Sequence, residues 1–215
     1  MRPLPSPLLA VTDRRGHPRP LPDTVRAVLD GGGRWIWFRD RDLPAEERRR
    51  LGEAVAERVR GAGGVLTVGG DVGLARALGA GGVHLGGGAG TEAIAAARRA
   101  LGPAALLGVS AHAPGDVAAA AAGGADYVTL SPVFASASKP GYGPALGLDG
   151  LAAARDTGLP VVALGGITAE NAAACRRVGA AGVAVMGRLA RAHDPAADVR
   201  RLLAAWTVDD AAIRK

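Results

Sequence analysis

The sequence predicts an α/β protein that folds as a single (β/α)8 TIM barrel over residues 1–215. Short runs rich in β-branched residues alternate with longer runs of alanine, leucine and arginine, which is the order of strand and helix units around a parallel sheet. The alternation repeats about eight times, as a barrel requires. Glycine-alanine phrases, as at residues 78–83, 123–127 and 179–183, precede strands, where glycine ends a helix and lets the chain reverse.

The eight predicted strands cover residues 8–12, 35–39, 65–68, 82–85, 105–109, 127–130, 161–164 and 183–186. The predicted helices cover residues 23–29, 45–60, 72–78, 91–101, 115–122, 148–155, 169–178 and 195–206. A doubly wound open sheet is the alternative, but no glycine-rich dinucleotide fingerprint follows the first strand. Because a barrel carries its chemistry on the loops after its strands, we expect the functional residues there.

Composition narrows the class of protein. A chain of 215 residues that is 48% hydrophobic can bury the core of one domain, and with only 3% aromatic residues that core must come from alanine, valine and leucine. The net charge of +6 favours small anionic substrates over nucleic acid, because the arginines are scattered and no aromatic residues interleave with them. The single cysteine, Cys175, permits neither an internal disulfide nor a cysteine cluster for zinc. With no apolar run of membrane-spanning length and no apolar leader, we expect a cytoplasmic protein that does not bind membranes, whether monomer or homo-oligomer.

Two strand ends carry the pattern of a phosphate site. Gly165 and Gly166 follow the seventh predicted strand, and Met186 and Gly187 end the eighth, which is the usual phosphate position of a TIM barrel. Backbone amides there, with a helix N-terminus behind them, can surround a phosphate without any side-chain charge. The sequence therefore predicts that these four residues bind phosphate.

The loop after the sixth strand, residues 131–143, is long and polar. Ser136 and Ser138 alternate toward one side if the segment is extended. Lys139 is the only lysine before the C-terminal residue and can meet a phosphate or diphosphate, although a solvated loop lysine is the ordinary alternative.

Polar residues also end three earlier strands. Ser110 ends the fifth strand, and its hydroxyl either binds substrate or caps the following helix. His112 follows Ser110 by two residues and His84 ends the fourth strand, but an unpaired histidine is more often structural than catalytic. Arg39 closes the second strand and is predicted to lean over the barrel mouth as an anion clamp, whereas Arg41 and the neighbouring aspartates could merely satisfy one another.

Taken together, these motifs resemble the thiamine phosphate synthase and TenI family, over nearly the whole chain. The segments that carry the resemblance are LLAVTD at 8–13, RDR at 39–41, GGVHLG at 81–86, GVSAH at 108–112, SPVF at 131–134 and GGI at 165–167. The resemblance implies a barrel that joins hydroxymethylpyrimidine diphosphate to thiazole phosphate with magnesium, giving thiamine phosphate and diphosphate. Catalysis would then be mostly electrostatic.

The resemblance also implies roles for the candidate residues. Ser110, Lys139 and Arg39 are expected to be catalytic, with Ser110 facing the reacting pyrimidine. Substrate and phosphate contacts are expected from Arg41, Ser136, Ser138, Gly165, Gly166, Met186 and Gly187; of these, Gly166 and Gly187 would meet the thiazole phosphate.

The magnesium half departs from the family pattern. The family's Asn-Asp after the third strand is Gly69-Gly70 here, and its glutamine and aspartate after the fourth strand match Gly87 and Ala89. Both expected carboxylates are missing, and Asp71, one position late, is only a weak substitute as a magnesium ligand.

In the second-strand motif the family's glutamine is Trp37 and its lysine is Arg41. Two other functions stay open beside the synthase. A TenI-like thiazole tautomerase would need a replacement for the family's histidine, since Pro132 stands there, and His84 or His112 could serve. A noncatalytic regulator that binds thiazole or thiamine phosphate is the other.

Overall fold

Residues 2–15, 19–136 and 144–207 are described by a computed structural model. The described chain forms eight parallel strands: β1 (Leu8–Val11), β2 (Trp35–Phe38), β3 (Val65–Gly69), β4 (Gly82–Leu85), β5 (Leu106–Ala111), β6 (Tyr127–Leu130), β7 (Val161–Leu164) and β8 (Gly182–Val185). Each strand pairs with the next in sequence, and β8 pairs with β1, so the sheet closes into a barrel. The predicted (β/α)8 architecture is confirmed, and the open sheet is excluded.

Helices follow the strands as the sequence pattern predicts. Within the described ranges they are α1 (Leu21–Asp30), α2 (Ala45–Gly61), α3 (Val72–Ala77), α4 (Thr91–Leu101), α5 (Pro114–Ala122), α6 (Gly147–Arg155), α7 (Ala169–Arg177), α8 (Gly187–Arg191) and α9 (Pro195–Thr207). Every predicted strand and helix is present with ends within two residues. The five-residue α8 was not predicted, because one turn and a half is too short to show a helical period. None of these helices combines the length and apolar character needed to cross a bilayer.

The barrel has two separate apolar cores. Between strands and helices lies a layer built mostly of valine, leucine and alanine, as the composition predicts. Inside the barrel the packing is different, because Trp35 meets Tyr127 edge to face with ring centroids 4.8 Å apart and Trp37 lies above them. Trp35, Trp37 and Tyr127 therefore fill the barrel below its mouth.

Candidate active site

One cavity of about 940 Å³ opens at the carboxyl ends of the strands. The predicted site residues that line it are Arg39, Arg41, Ser110, Ser136, Gly165, Gly166, Met186 and Gly187. Ser138 and Lys139 lie outside the described residues, but Ser136 and Ala145, on either side of that stretch, both line the cavity. Loops that are far apart in sequence thus converge on one space, whose volume suits small-molecule substrates.

The β7 and β8 ends of the cavity are built from backbone. Gly165 and Gly166 have φ angles of +98° and +65°, and a Cβ atom on Gly166 would lie 2.5 Å from the carbonyl oxygen of Ala135, so a larger residue does not fit. Asn171 fixes the turn, since its amide donates to Gly166 O and its oxygen accepts from Thr168 N, both at 2.9 Å. Gly187 begins α8, where the first amides have no partner inside the helix. This end can therefore offer amides to an anion.

Ser110 is held by a buried polar network. His84 Nε2 lies 3.1 Å from Ser110 Oγ and 3.2 Å from Thr129 Oγ1, and His84 Nδ1 lies 2.9 Å from the Tyr127 hydroxyl. The helix-cap interpretation of Ser110 is wrong, because the N-cap position of α5 is Ala113, three residues later, and Ser110 Oγ contacts His84 instead. The serine hydroxyl is instead part of the cavity floor.

His84 is neutral in this network. Burial lowers its pKa to about 3, with a smaller contribution from the positive charge of Arg41. Trp37 covers its ring, with centroids 3.8 Å apart. A fully buried imidazole that does not titrate near neutral pH is a poor acid or base, which removes His84 as the tautomerase replacement. His112 lines the cavity rim, where its Nδ1 lies 2.9 Å from Ser131 O.

The aspartates at the mouth are engaged by other groups than Arg41. Asp40 accepts from Thr12 Oγ1 at 2.5 Å and from Arg14 N at 3.0 Å. Asp42 forms ion pairs with Arg14 and Arg15. The suggestion that Arg41 and these aspartates satisfy one another is therefore wrong.

Arg39 and Arg41 consequently lack a carboxylate partner among the described residues. The backbone amide of Arg39 donates to Thr12 Oγ1 at 2.9 Å, and its Nη1 lies 3.9 Å from Met186 Sδ, so its side chain reaches across toward the β8 end. Arg41 makes no hydrogen bond or ion pair within the described chain. Partial burial, followed by the charges of Arg39 and Arg48, lowers its pKa. Such a cluster of unpaired positive charge favours a bound anion.

Both carboxylate oxygens of Asp71, the weakly expected magnesium ligand, are engaged by protein groups. It caps α3, its Oδ1 accepting from Leu74 N at 2.8 Å, and its Oδ2 pairs with Arg48 at 2.8 Å. Arg48, which the sequence places only as a helical residue, is buried and also donates to Gly69 O and Asp40 O. Asp71 and Arg48 together tie the β2 and β3 ends to each other.

Glycines at the β3 and β4 ends leave space that large cavity-lining side chains occupy. A Cβ atom on Gly69 would lie 3.0 Å from Trp37 Nε1, and one on Gly70 would lie 2.9 Å from Arg41 Cζ. A Cβ atom on Gly87 would lie 3.1 Å from His112 Nε2. The space beside the β3 and β4 ends is thus filled by long side chains from β2 and from the segments after β2 and β5.

The donors at this end do not fit a magnesium ion. Magnesium takes hard oxygen ligands in octahedral geometry, commonly one or two carboxylates with substrate phosphates. The described chain brings together no group of three His, Cys, Asp or Glu residues that could hold a metal, and Gly70 and Ala89 carry no oxygen on their side chains. Asp13, the remaining aspartate of the lining, accepts from Arg15 N. The magnesium expected from the resemblance finds no ligand set here.

Comparison with known proteins agrees with this geometry. The family model described as thiamine monophosphate synthase matches residues 8–189. The thiamine-phosphate synthase of Roseiflexus castenholzii is 44% identical over 89% of this chain and 84% of its own, and that of Moorella thermoacetica is 39% identical over 90% and 92%. The solved thiamine phosphate pyrophosphorylase from Pyrococcus furiosus superposes with a TM-score of 0.81 at 29% identity, covering 93% of this chain and 94% of that one. The chain belongs to the thiamine monophosphate synthase family.

Proposed function

We propose that this protein is a thiamine-phosphate synthase, which condenses hydroxymethylpyrimidine diphosphate with thiazole phosphate. The observation that carries the proposal is the presence of two different surfaces suited to anions in one cavity: Arg39 and Arg41, which have no carboxylate partner among the described residues, at one side, and the glycine turns of β7 and β8 at the other. A reaction between two phosphorylated substrates needs such a pair of sites.

Arg39 and Arg41 are suited to the diphosphate. A guanidinium presents parallel N–H donors that match phosphate oxygens, and unpaired arginines lose no existing ion pair when an anion binds. Ser136 lines the same cavity and belongs to the loop, residues 131–143, that contains Ser138 and Lys139. We assign these three residues to the same anion, with Lys139 as the added cation.

The thiazole phosphate is assigned to Gly165, Gly166, Met186 and Gly187. Their strand ends line the cavity opposite β3 and β4, and a backbone cradle holds a phosphate without a competing counter-ion. The pyrimidine ring then lies between the two anion sites, above Ser110, whose hydroxyl is oriented by the neutral His84. Ser110 can hydrogen-bond the ring without taking a charge.

The reaction needs little proton transfer from the protein. The bond between the pyrimidine methylene carbon and the diphosphate oxygen breaks, and the diphosphate leaves with the electron pair. The thiazole nitrogen then donates its lone pair to the methylene carbon and becomes the cation of thiamine phosphate. The protein contributes position and positive charge at the leaving group, the kind of stabilisation that dominates in phosphate chemistry.

The direct test supplies purified protein with both substrates and measures thiamine phosphate by chromatography, in parallel with and without magnesium. We expect product in proportion to the protein added, and a loss of about ten-fold or more in Arg39→Ala. Arg49→Ala is the matched control, since Arg49 is exposed on α2 and pairs only with Glu46 and Glu53. Absence of product in both conditions would disprove the synthase.

A further inference from the structure

Arg41 occupies the space between the β3 and β4 ends. A Cβ atom on Gly70 would lie 2.9 Å from its Cζ and 3.1 Å from its Nη1, and one on Gly86 would lie 3.7 Å from Nη1. Gly70 also has a φ of +63°, a conformation that a residue with a side chain adopts only with strain. A carboxylate side chain at 70 and the guanidinium in its present place therefore exclude one another. The guanidinium lies where the family resemblance puts one of the magnesium carboxylates.

The charges around Arg41 leave a local positive excess. Arg48 is neutralised by Asp71, and Asp42 is paired with Arg14 and Arg15. The carboxylate of Asp40, which accepts from Thr12 Oγ1 and Arg14 N, offsets part of the remaining charge, but Arg39 and Arg41 have no ion-pair partner among the described residues and repel each other. Two guanidinium groups carry the same formal charge as one divalent cation, and a bound diphosphate would relieve their repulsion.

The same replacement occurs at three positions of the β3 and β4 ends, where a glycine stands beside a long side chain from another segment. Gly69, Gly70 and Gly87 lack the side chains that Trp37, Arg41 and His112 would meet. Because this occurs at three separate positions, the cavity wall at the β3 and β4 ends is formed by side chains from other segments. The positive charge of this wall that faces the cavity is that of Arg41, whose planar guanidinium presents more donors than the lysine of the family pattern would.

We propose that Arg41, with Arg39, takes the part of the divalent metal, so that this protein binds the diphosphate of its substrate and releases it without magnesium. The inference rests on the proposed function for the identity of the substrate. Its chemical content is narrower: the site recognises the metal-free diphosphate anion through guanidinium donors. Magnesium, which binds free diphosphate in solution, then competes with the protein.

The binding test uses inorganic diphosphate and titration calorimetry on the whole protein. In EDTA, the wild type is expected to bind, and Arg41→Ala to bind about ten-fold or more weakly, since it loses charge-assisted hydrogen bonds. Arg49→Ala is expected to match the wild type within about two-fold, because its exposed pairs lie outside the cavity. Added magnesium is expected to weaken apparent binding in the wild type. Binding that requires magnesium, or an Arg41→Ala variant that binds as the wild type does, overturns the inference.

The activity test separates this inference from the function on which it rests. Thiamine phosphate formation in EDTA is expected to reach at least about half of the rate in magnesium, and magnesium is not expected to restore Arg41→Ala, whose remaining wall has no metal carboxylate. Product only in magnesium overturns the inference but keeps the synthase. No product in either condition removes the synthase, while the calorimetry still decides how diphosphate is bound. An unfolding curve for Arg41→Ala that matches the wild type excludes misfolding, as expected for a side chain with no described protein partner.

Discussion

The two sides of the cavity are built from different materials. At the β7 and β8 ends the chain itself forms the site, through glycine turns whose φ angles and close approach to the loop after β6 leave no room for side chains. At the β2, β3 and β4 ends the site is made of long side chains that extend into space left by glycines. A backbone site cannot change without moving the strand ends, whereas a side-chain site can be rebuilt by exchanging residues that share one volume. This difference explains how one side keeps the family pattern while the other departs from it.

The largest effect is expected from adding one methyl group to the backbone side. Gly166→Ala places a Cβ 2.5 Å from Ala135 O at a φ of +65°. We expect the free energy of unfolding to fall by at least about 2 kcal/mol, from strain and overpacking together. Thiazole phosphate binding should be lost with it, because the turn must shift. Denaturant unfolding and calorimetry measure the two quantities.

Gly115→Ala is the control for that substitution. Gly115 lies in the first turn of α5, and an added Cβ there meets nothing within 4 Å. This variant should be as stable as the wild type or slightly more so. If Gly166→Ala behaves like it, the backbone side is more adaptable than its geometry indicates.

The second-largest effect is expected from His84, the neutral histidine below the β2, β3 and β4 ends of the cavity. In the unfolded chain, His84 takes up a proton near its ordinary pKa of 6.5, but in the folded state only near 3. Its contribution to stability is therefore complete above pH 6.5 and is lost as the pH falls toward 3. Below 6.5 the wild type should lose up to about 1.4 kcal/mol per pH unit more than His84→Gln, which cannot titrate. Denaturant unfolding at pH 7, 6 and 5 checks the difference in slope.

Parallel slopes for wild type and His84→Gln would mean that His84 takes up its proton at the same pH in the folded and the unfolded protein, so that it could serve as an acid near neutral pH.

The smallest effect separates Asp71 from metal binding. Asp71→Ala removes the cap of α3 and one partner of the buried Arg48, which should cost about 1–2 kcal/mol of stability. Diphosphate affinity should not fall, because Asp71 does not line the cavity and its loss leaves the positive charge of Arg48 uncompensated near Arg41. Asp156→Ala, at an exposed position after α6, should cost less than about 0.5 kcal/mol. A large change in magnesium response in Asp71→Ala would restore Asp71 as a ligand.

Much of the barrel and of its backbone side could be predicted from the sequence. These features are local patterns, which can be recognised along the sequence without knowledge of the fold. They are the hydrophobic periods of strands and helices, the glycines that end helices, and the position of Gly165 and Gly166 after the seventh strand. The side-chain half was only partly predictable. Arg39 was placed by its strand end, but the partners of Arg41, Asp71 and Ser110 were not.

Those partners depend on the register between neighbouring strands and on which side chains fill the space between the strand ends. The hydroxyl groups of Tyr127 and Thr129 on β6 contact His84 on β4, which lies more than forty residues earlier in the chain. They can do so because β4, β5 and β6 pair in a register that brings these side chains together inside the barrel. Arg48 on α2 forms an ion pair with Asp71 at the start of α3, so a candidate ligand is engaged in a structural ion pair.

The sequence by itself determined the fold, the family and the glycine turns at the β7 and β8 ends, because each follows from residue types and their spacing along the chain. Only the tertiary structure decided which charges are paired. Asp42 forms its ion pairs with Arg14 and Arg15, and Arg41 therefore has no carboxylate partner among the described residues. Electrostatic pairing falls off with distance in space, and chain separation does not record that distance.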